Sequence, residues 1–251
     1  MGLVQSAQNV ATGTGVLSLT VTLGNPTTAG NGLVVMVTNT GVTTDGHVSG
    51  ITLGGAAGNF AQAASIGTSA DASITECWLD LNCAGGQTAV AITTTGGAGA
   101  SVLYAAVYER NDLLTAGAFD KTSGNASTVS WTSGATASIS QAAEVFVGAV
   151  FISGNSQPTI TGPSSPWANL TVQTGAQGSF QTAWLSGWEA VASIQTATYT
   201  GTSTNGTDGT ALVVTLKAVT LTSGPPVLPD LPFLPVYMVS NSGWRGAGHS
   251  R

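Results

Sequence analysis

Residues 101–110, SVLYAAVYER, place seven apolar side chains in a row from Val102 to Tyr108. A run this short is strand or helix by periodicity alone, and its flanks decide. TTTGGAGA before it and Glu109-Arg110-Asn111-Asp112 after it read as turns, while Val and Tyr suit strands. The run therefore predicts a strand buried on both faces. Val102, Tyr104, Ala106 and Tyr108 share one face; Leu103, Ala105 and Val107 share the other. A second run of the same kind, TALVVTLKAV at 210–219, closes the other half of the chain with Leu212, Val214 and Leu216 on one stripe.

The rest of the first half is a series of short apolar runs cut by Gly, Asn, Ser and Thr. Strands are predicted at 3–8, 16–23, 33–39, 48–53, 60–66, 73–81, 88–94 and 101–109. Spacing of this kind marks a sandwich or barrel, and no helical period appears. The pattern then restarts. Leu33-Val34-Val35-Met36-Val37 matches Val145-Phe146-Val147-Gly148-Ala149, Trp78-Leu79 matches Trp184-Leu185, and Ala106-Val107-Tyr108 matches Val214-Thr215-Leu216. An ordered series with slowly drifting offsets predicts an internal duplication. The expected fold is all-β: two related jelly-roll-like β-sandwich units in tandem, 1–110 and 111–221, followed by an extended Pro-rich arm, 222–251. The link between the units, NDLLTAG, is too short for a free tether, so the halves should touch.

Charge narrows the function. Charged residues are 6% of the chain, far below the ordinary quarter, and only five are basic. Phosphate-backbone binding needs clustered Lys and Arg, so nucleic acid is not expected as a partner. No apolar run reaches the ~18–20 residues of a membrane-spanning helix, and no basic-then-apolar leader is read at the N-terminus. Met1-Gly2 with Ser6 fits a myristoylation pattern, but the following residues already read as a strand. Cys77 and Cys83 lie six apart in one apolar stretch, where two buried free thiols are expected rather than a disulfide or a metal site.

Chemistry-bearing patterns are sparse. A hydrolytic triad would need His47 or His249 as its base, and no nucleophile elbow is present. Glu76 and Asp80 share a strand face, and Glu189 sits beside Trp188, but carboxylates at such spacing are common in strands. Asn205-Gly206-Thr207-Asp208-Gly209 reads as a hairpin turn rather than a calcium loop. No catalytic residue, metal site or cofactor is therefore assigned. Trp188 and Trp167 remain as a candidate ligand face, since an exposed indole could stack on sugar.

The final segment is of another kind. Five of the nine prolines fall between 225 and 235. They exclude a central strand and predict an extended, polyproline-like course. Leu228, Leu231, Phe233, Leu234 and Tyr237 alternate with them, and Trp244 and Arg245 follow. These seven are the expected docking residues of an arm that lies on another surface, with a neighbouring subunit preferred over its own body.

Three stretches also carry a resemblance: PTTAGNGLVVMV at 26–37, AVYERNDLL and AFDKTSG within 106–124, and AAEVFVGAVF at 142–151. Together with the closing ALVVTLKAV, they resemble β-sandwich modules of tailed-phage virion proteins, and similar modules in secreted bacterial proteins. The resemblance covers about 3–219 and leaves out the arm. It implies a structural, non-enzymatic virion protein, a minor tail protein or a capsid decoration protein. Its partners would be other virion proteins and copies of itself, with host surface glycan as a further candidate. It transfers no active-site residue. A carbohydrate-binding adhesion module is the rival reading.

Overall fold

The computed structural model describes residues 2–14, 18–40, 48–68, 73–95, 100–126 and 130–219. The described residues form strands and turns, with no helix. Residues 1–221 make one compact unit. The arm residues and both histidines lie outside the described residues.

The first half runs β1 (Leu3–Thr14), β2 (Ser18–Thr22), β3 (Gly32–Asn39), β4 (Val48–Leu53), β5 (Ala56–Ala57), β6 (Ala61–Thr68), β7 (Ser73–Asp80), β8 (Ala89–Thr94) and β9 (Ala100–Arg110). The second runs β10 (Phe119–Ala126), β11 (Ser130–Thr132), β12 (Glu144–Gly154), β13 (Thr159–Thr161), β14 (Ala168–Asn169), β15 (Gln173–Gln177), β16 (Phe180–Val191), β17 (Thr200–Thr204) and β18 (Asp208–Lys217). Every pairing is antiparallel. Two larger sheets have the orders β1-β9-β3-β7-β6 and β10-β18-β12-β16-β14, with β15 also on β16. Two smaller sheets have the orders β2-β8-β4-β5 and β11-β17-β13. The order in the second half thus follows that of the first with each number raised by nine, save at β14 and β15.

Three apolar cores separate the four sheets. Leu19, Val21, Ile51, Val90 and Ile92 of the first small sheet pack on Leu33, Val35, Leu103 and Val107 of the first large one. The opposite face of that large sheet, with Val34, Met36, Tyr104 and Tyr108, packs on Val145, Val147, Phe151, Trp184 and Val214 of the second. Phe146, Val150, Leu185 and Val213 then face Trp131 and Tyr199 on the far side. The layers are small sheet, large sheet, large sheet, small sheet. The strand at 101–110 is therefore buried on both faces, as its composition predicts.

The two outer cores differ in filling. The first is aliphatic. The second belongs to a sheet with strands of only three and five residues and is filled by rings. Trp131 and Tyr199 lie 5.2 Å apart between centroids. Glycine makes the room: a Cβ on Gly148 would fall 2.4 Å from the Tyr199 ring, and one on Gly201 2.5 Å from Trp131.

Several sequence expectations change. The matched pairs Leu33/Val145 and Trp78/Trp184 do not face equivalent cores. Leu33 and Trp78 belong to the core against the small sheet, and Val145 and Trp184 to the central one. By ladder position the partner of Val145 is Val34: Val34 pairs Tyr108 as Val145 pairs Leu216. A one-residue slip exchanges the two faces. Glu109-Arg110-Asn111-Asp112 is not simply a turn either, because β9 runs through Arg110 and buries Glu109, Arg110 and Asp112 completely. Finally, β1 continues to Thr14, held by its ladder to β9. The cysteines are free and buried. They belong to different cores, Cys77 to the central one and Cys83 to the aliphatic outer one.

Candidate functional site

The central interface is pinned by hydroxyls. Trp184 Nε1 donates to Thr38 Oγ1 at 2.9 Å, and the Thr38–Thr75 and Thr75–Thr210 hydroxyls bond at 2.7 Å each. Tyr108 OH donates to Ser186 Oγ (2.7 Å), which donates to the Gly148 carbonyl (2.8 Å). The Tyr104 and Thr182 hydroxyls are 2.6 Å apart. Buried polar groups satisfied in this way fix one alignment of two sheets that apolar contact alone would leave free to slide. Burial drives the Tyr104 and Tyr108 phenols well above the ordinary range, so both are neutral at any ordinary pH.

One lateral edge of the interface, beside β1 and β14, is closed. Arg110 forms a bidentate pair with Asp112, Nε to Oδ1 and Nη2 to Oδ2 both at 2.9 Å, with neither side chain exposed. The Gly2 amide donates to Asp112 Oδ2 at 2.8 Å. Burial opposes ionisation of Asp112, but the Arg110 bonds and charge and the Gly2 amide outweigh it and hold the carboxyl below its usual range. The guanidinium carbon lies 4.9 Å from the centre of the Trp188 ring, within cation–π reach. Leu3, Leu170 and Trp188 pack on the central core here. Trp188, a candidate ligand-face residue, is thus half-buried against Arg110, which lies beneath it. Trp167 is likewise half-buried, edge-on to Tyr199 at 4.7 Å.

Two of the carboxylates singled out from sequence, Glu76 and Asp80, cap backbone amides. Glu76 accepts the Val48 amide (2.8 Å) and Gln62 Nε2 (2.6 Å). Asp80 accepts the Asn82 amide at 3.1 Å and the Asn59 amide at 3.4 Å. Glu189 is half-buried, and burial raises its carboxyl above the usual range. Sequence reasoning passed over two others. Glu109 collects Asn31 Nδ2 (2.6 Å), the Thr28 amide (2.8 Å) and Gln5 Nε2 (2.6 Å). Asp120, at the register shift that opens β10, accepts the Ser140 amide and hydroxyl at 2.7 and 2.9 Å. Burial and the charge of Asp120 raise the neighbouring Glu144. Burial, then the charges of Glu109 and Asp80, push the Cys83 thiol up to about 11, which leaves it without thiolate character. Among the described residues, no group of three His, Cys, Asp or Glu side chains is placed to hold a metal ion. No helix among them is long and apolar enough to cross a membrane. The turn expected at 205–209 is present, with Asn205 in the left-handed region at φ 59°.

The opposite lateral edge, beside β6 and β10, is open at one corner. A cavity of about 430 Å³ lies between the start of β6, the end of β7 and the segment entering β10. Gln62, Leu79, Leu81, Asn82, Ala118 and Phe119 are among its walls. Its floor is the apolar margin of the central core, to which Ala63, Leu79 and Leu81 belong. Its rim carries side-chain amides, and Phe119 is 37% exposed, as Phe180 is elsewhere at 39%. No sequence motif marks it, because its three segments are up to sixty residues apart.

No family model, curated protein or solved structure matches the chain.

Proposed function

We propose that the protein is a non-enzymatic structural component of a tailed-phage virion, a minor tail protein anchored to neighbouring subunits by its C-terminal arm. The observation that carries this reading is the pairing of the first half. β1 pairs β9, β2 pairs β8, β3 pairs β7 and β4 pairs β5, as in one long hairpin rolled into two facing rows. The orders β1-β9-β3-β7-β6 and β2-β8-β4-β5 support a jelly roll with β6 as an added edge strand, an architecture used by viral capsid and lectin domains. The second half repeats β10 with β18, β11 with β17 and β12 with β16, which supports two related jelly rolls in tandem, 1–110 and 111–221. Fold alone does not carry function, so the reading leans also on the arm and on the sequence resemblance. Two jelly rolls fused through a hydroxyl-pinned core make a stiff block, as a particle component requires. A capsid decoration protein uses the same parts. The carbohydrate-binding alternative has less support, since Trp188 and Trp167 are both partly buried, packed on Arg110 and Tyr199.

The test is incorporation. A chain ending at Val219 is expected to keep the circular-dichroism spectrum and melting transition of a folded β protein and to be missing from purified particles. Normal incorporation of the shortened chain would refute anchoring by the arm.

A further inference from the structure

We propose that Glu144 and Asp120 share one proton and form a pH-sensitive latch, which clasps the start of β10 to the paired ends of β12 and β18 while the proton is held and strains that junction once it is lost. The latch stands apart from the virion reading and needs no partner.

The two carboxyls meet where three strands converge. Glu144 opens β12 and is the ladder partner of Lys217 at the end of β18. Asp120 sits at the register shift between Phe119 and Lys121, where β10 joins β18. Backbone bonds close the same junction: the Lys217 amide donates to the Ala118 carbonyl at 2.6 Å, and the Ala218 amide to the Ala143 carbonyl at 2.9 Å. Asp120 is well supplied with donors. Its carboxylate accepts the Ser140 amide at 2.7 Å and the Ser140 hydroxyl at 2.9 Å, with Lys121 Nζ at 3.1 Å and Lys217 Nζ at 3.5 Å. Glu144 is not. It is fully buried, and neither of its oxygens has a well-formed hydrogen bond to a protein donor. The Thr215 hydroxyl, the Gln141 amide and the Asp120 carboxyl are the polar groups that reach it. Glu189 lies on the same face of β16, two residues from Val191, the partner of Glu144 on that strand.

Two carboxyls in contact bond each other only through a proton, because two carboxylates are both acceptors and repel. Burial opposes ionisation of Asp120, but the bonds from Ser140 and Lys121 outweigh it and keep the carboxylate charged. The proton therefore resides on Glu144, where burial and the Asp120 charge both disfavour ionisation. The fold does not itself call for an acid here. By ladder position the counterpart of Glu144 in the first half is Leu33, which pairs Glu109 as Glu144 pairs Lys217. Because folding raises the Glu144 carboxyl above its unfolded value, its share of stability is intact at acid pH and is lost as pH rises from the unfolded value through the folded one.

The full-length wild type and Glu144→Gln, which keeps the shape and cannot ionise, are compared by urea unfolding from pH 4 to pH 9. Relative to the variant, the wild type is expected to lose about tenfold or more in its folding constant across that range, and parallel curves would refute the latch. Side-chain carboxyl 13C shifts, assigned by through-bond correlation in the wild type, give a reading that does not depend on the variant folding. The chain has four glutamates, Glu76, Glu109, Glu144 and Glu189, so the Glu144 signal is readily followed. It is expected to titrate above the ordinary glutamate range and to move down in Asp120→Asn. A Glu144 midpoint within or below the ordinary range would overturn the proposal. A raised midpoint that Asp120→Asn leaves in place would show burial without a shared proton, which also refutes the latch. Exchange of the Ser140 amide, which sits on Asp120, reads the junction itself. It is expected to quicken with pH more steeply in the wild type than in Glu144→Gln, and equal slopes would refute the clasp.

Discussion

The two lateral edges of the central interface border the same core, yet one is closed and the other open. At the β1/β14 edge, Trp188 and Leu170 cover the core, and the Arg110–Asp112 pair is sealed with them. Further along, a Cβ on Gly175 would come within 2.9 Å of Tyr104 and Val102, which shows how tightly β15 lies on the first large sheet. At the β6/β10 edge, β10 approaches β6 as closely at Gly124 and Ile66, but the corner by Phe119 stays unfilled. A buried ion pair does not stabilise much against an apolar replacement, yet removing one partner is costly. The closed edge is therefore intolerant, and it serves the fold. The open edge can change at smaller cost to the fold.

Substitutions at the two edges should then differ in their cost to stability. The largest effect is expected at Asp112. Asp112→Asn leaves Arg110 charged in a dry site and should cost about 3–5 kcal/mol in urea unfolding at pH 7. The acid side is a second readout. Because the folded-state carboxyl titrates below its unfolded value, its contribution is full at neutral pH and is lost as pH falls through the carboxylate range. The gap between wild type and Asp112→Asn should narrow on acidification, and a gap constant from pH 7 to pH 3 would contradict the ion-pair account. Next comes Trp188→Ala, expected to cost ~2–4 kcal/mol, below a fully buried Trp because half the ring is covered. A loss under 1 kcal/mol would make Trp188 a ligand residue rather than a plug. Gly148→Ala examines the aromatic outer core, where the added methyl collides with Tyr199 and should cost about 1–3 kcal/mol. The smallest effect belongs to the open edge. Phe119→Ala removes a ring that is 37% exposed and should cost about 1 kcal/mol, less than Trp188→Ala. A large melting shift there would make Phe119 part of the core.

Much of this fold can be read from the chain. Apolar runs separated by Gly, Asn and Thr locate most strands of the first half, and 48–53 coincides with β4. What patterning misses is what depends on partners. The slip between Leu33 and Val145 arises because β3 and β12 are apolar on both faces, so no polar residue marks which side is which. Counterparts also diverge: by the same ladder argument Gly148 stands where the first half has Val37, because Tyr199 needs the space. Burial of Glu109, Arg110 and Asp112 was hidden because Gly2, which bonds Asp112, and Gln5 and Asn31, which bond Glu109, lie about eighty residues or more away. The aromatic faces of Trp188 and Trp167 read as available in sequence, while in three dimensions Arg110 and Tyr199 lie against them.

The claim that the protein is a virion component is tested most directly by immunogold electron microscopy of purified phage particles, with antibody raised against residues 1–219. The account predicts gold on the tail. Gold over the head would replace the minor tail assignment with a decoration protein, and particles free of gold, from a lysate that contains the protein, would contradict the virion reading itself.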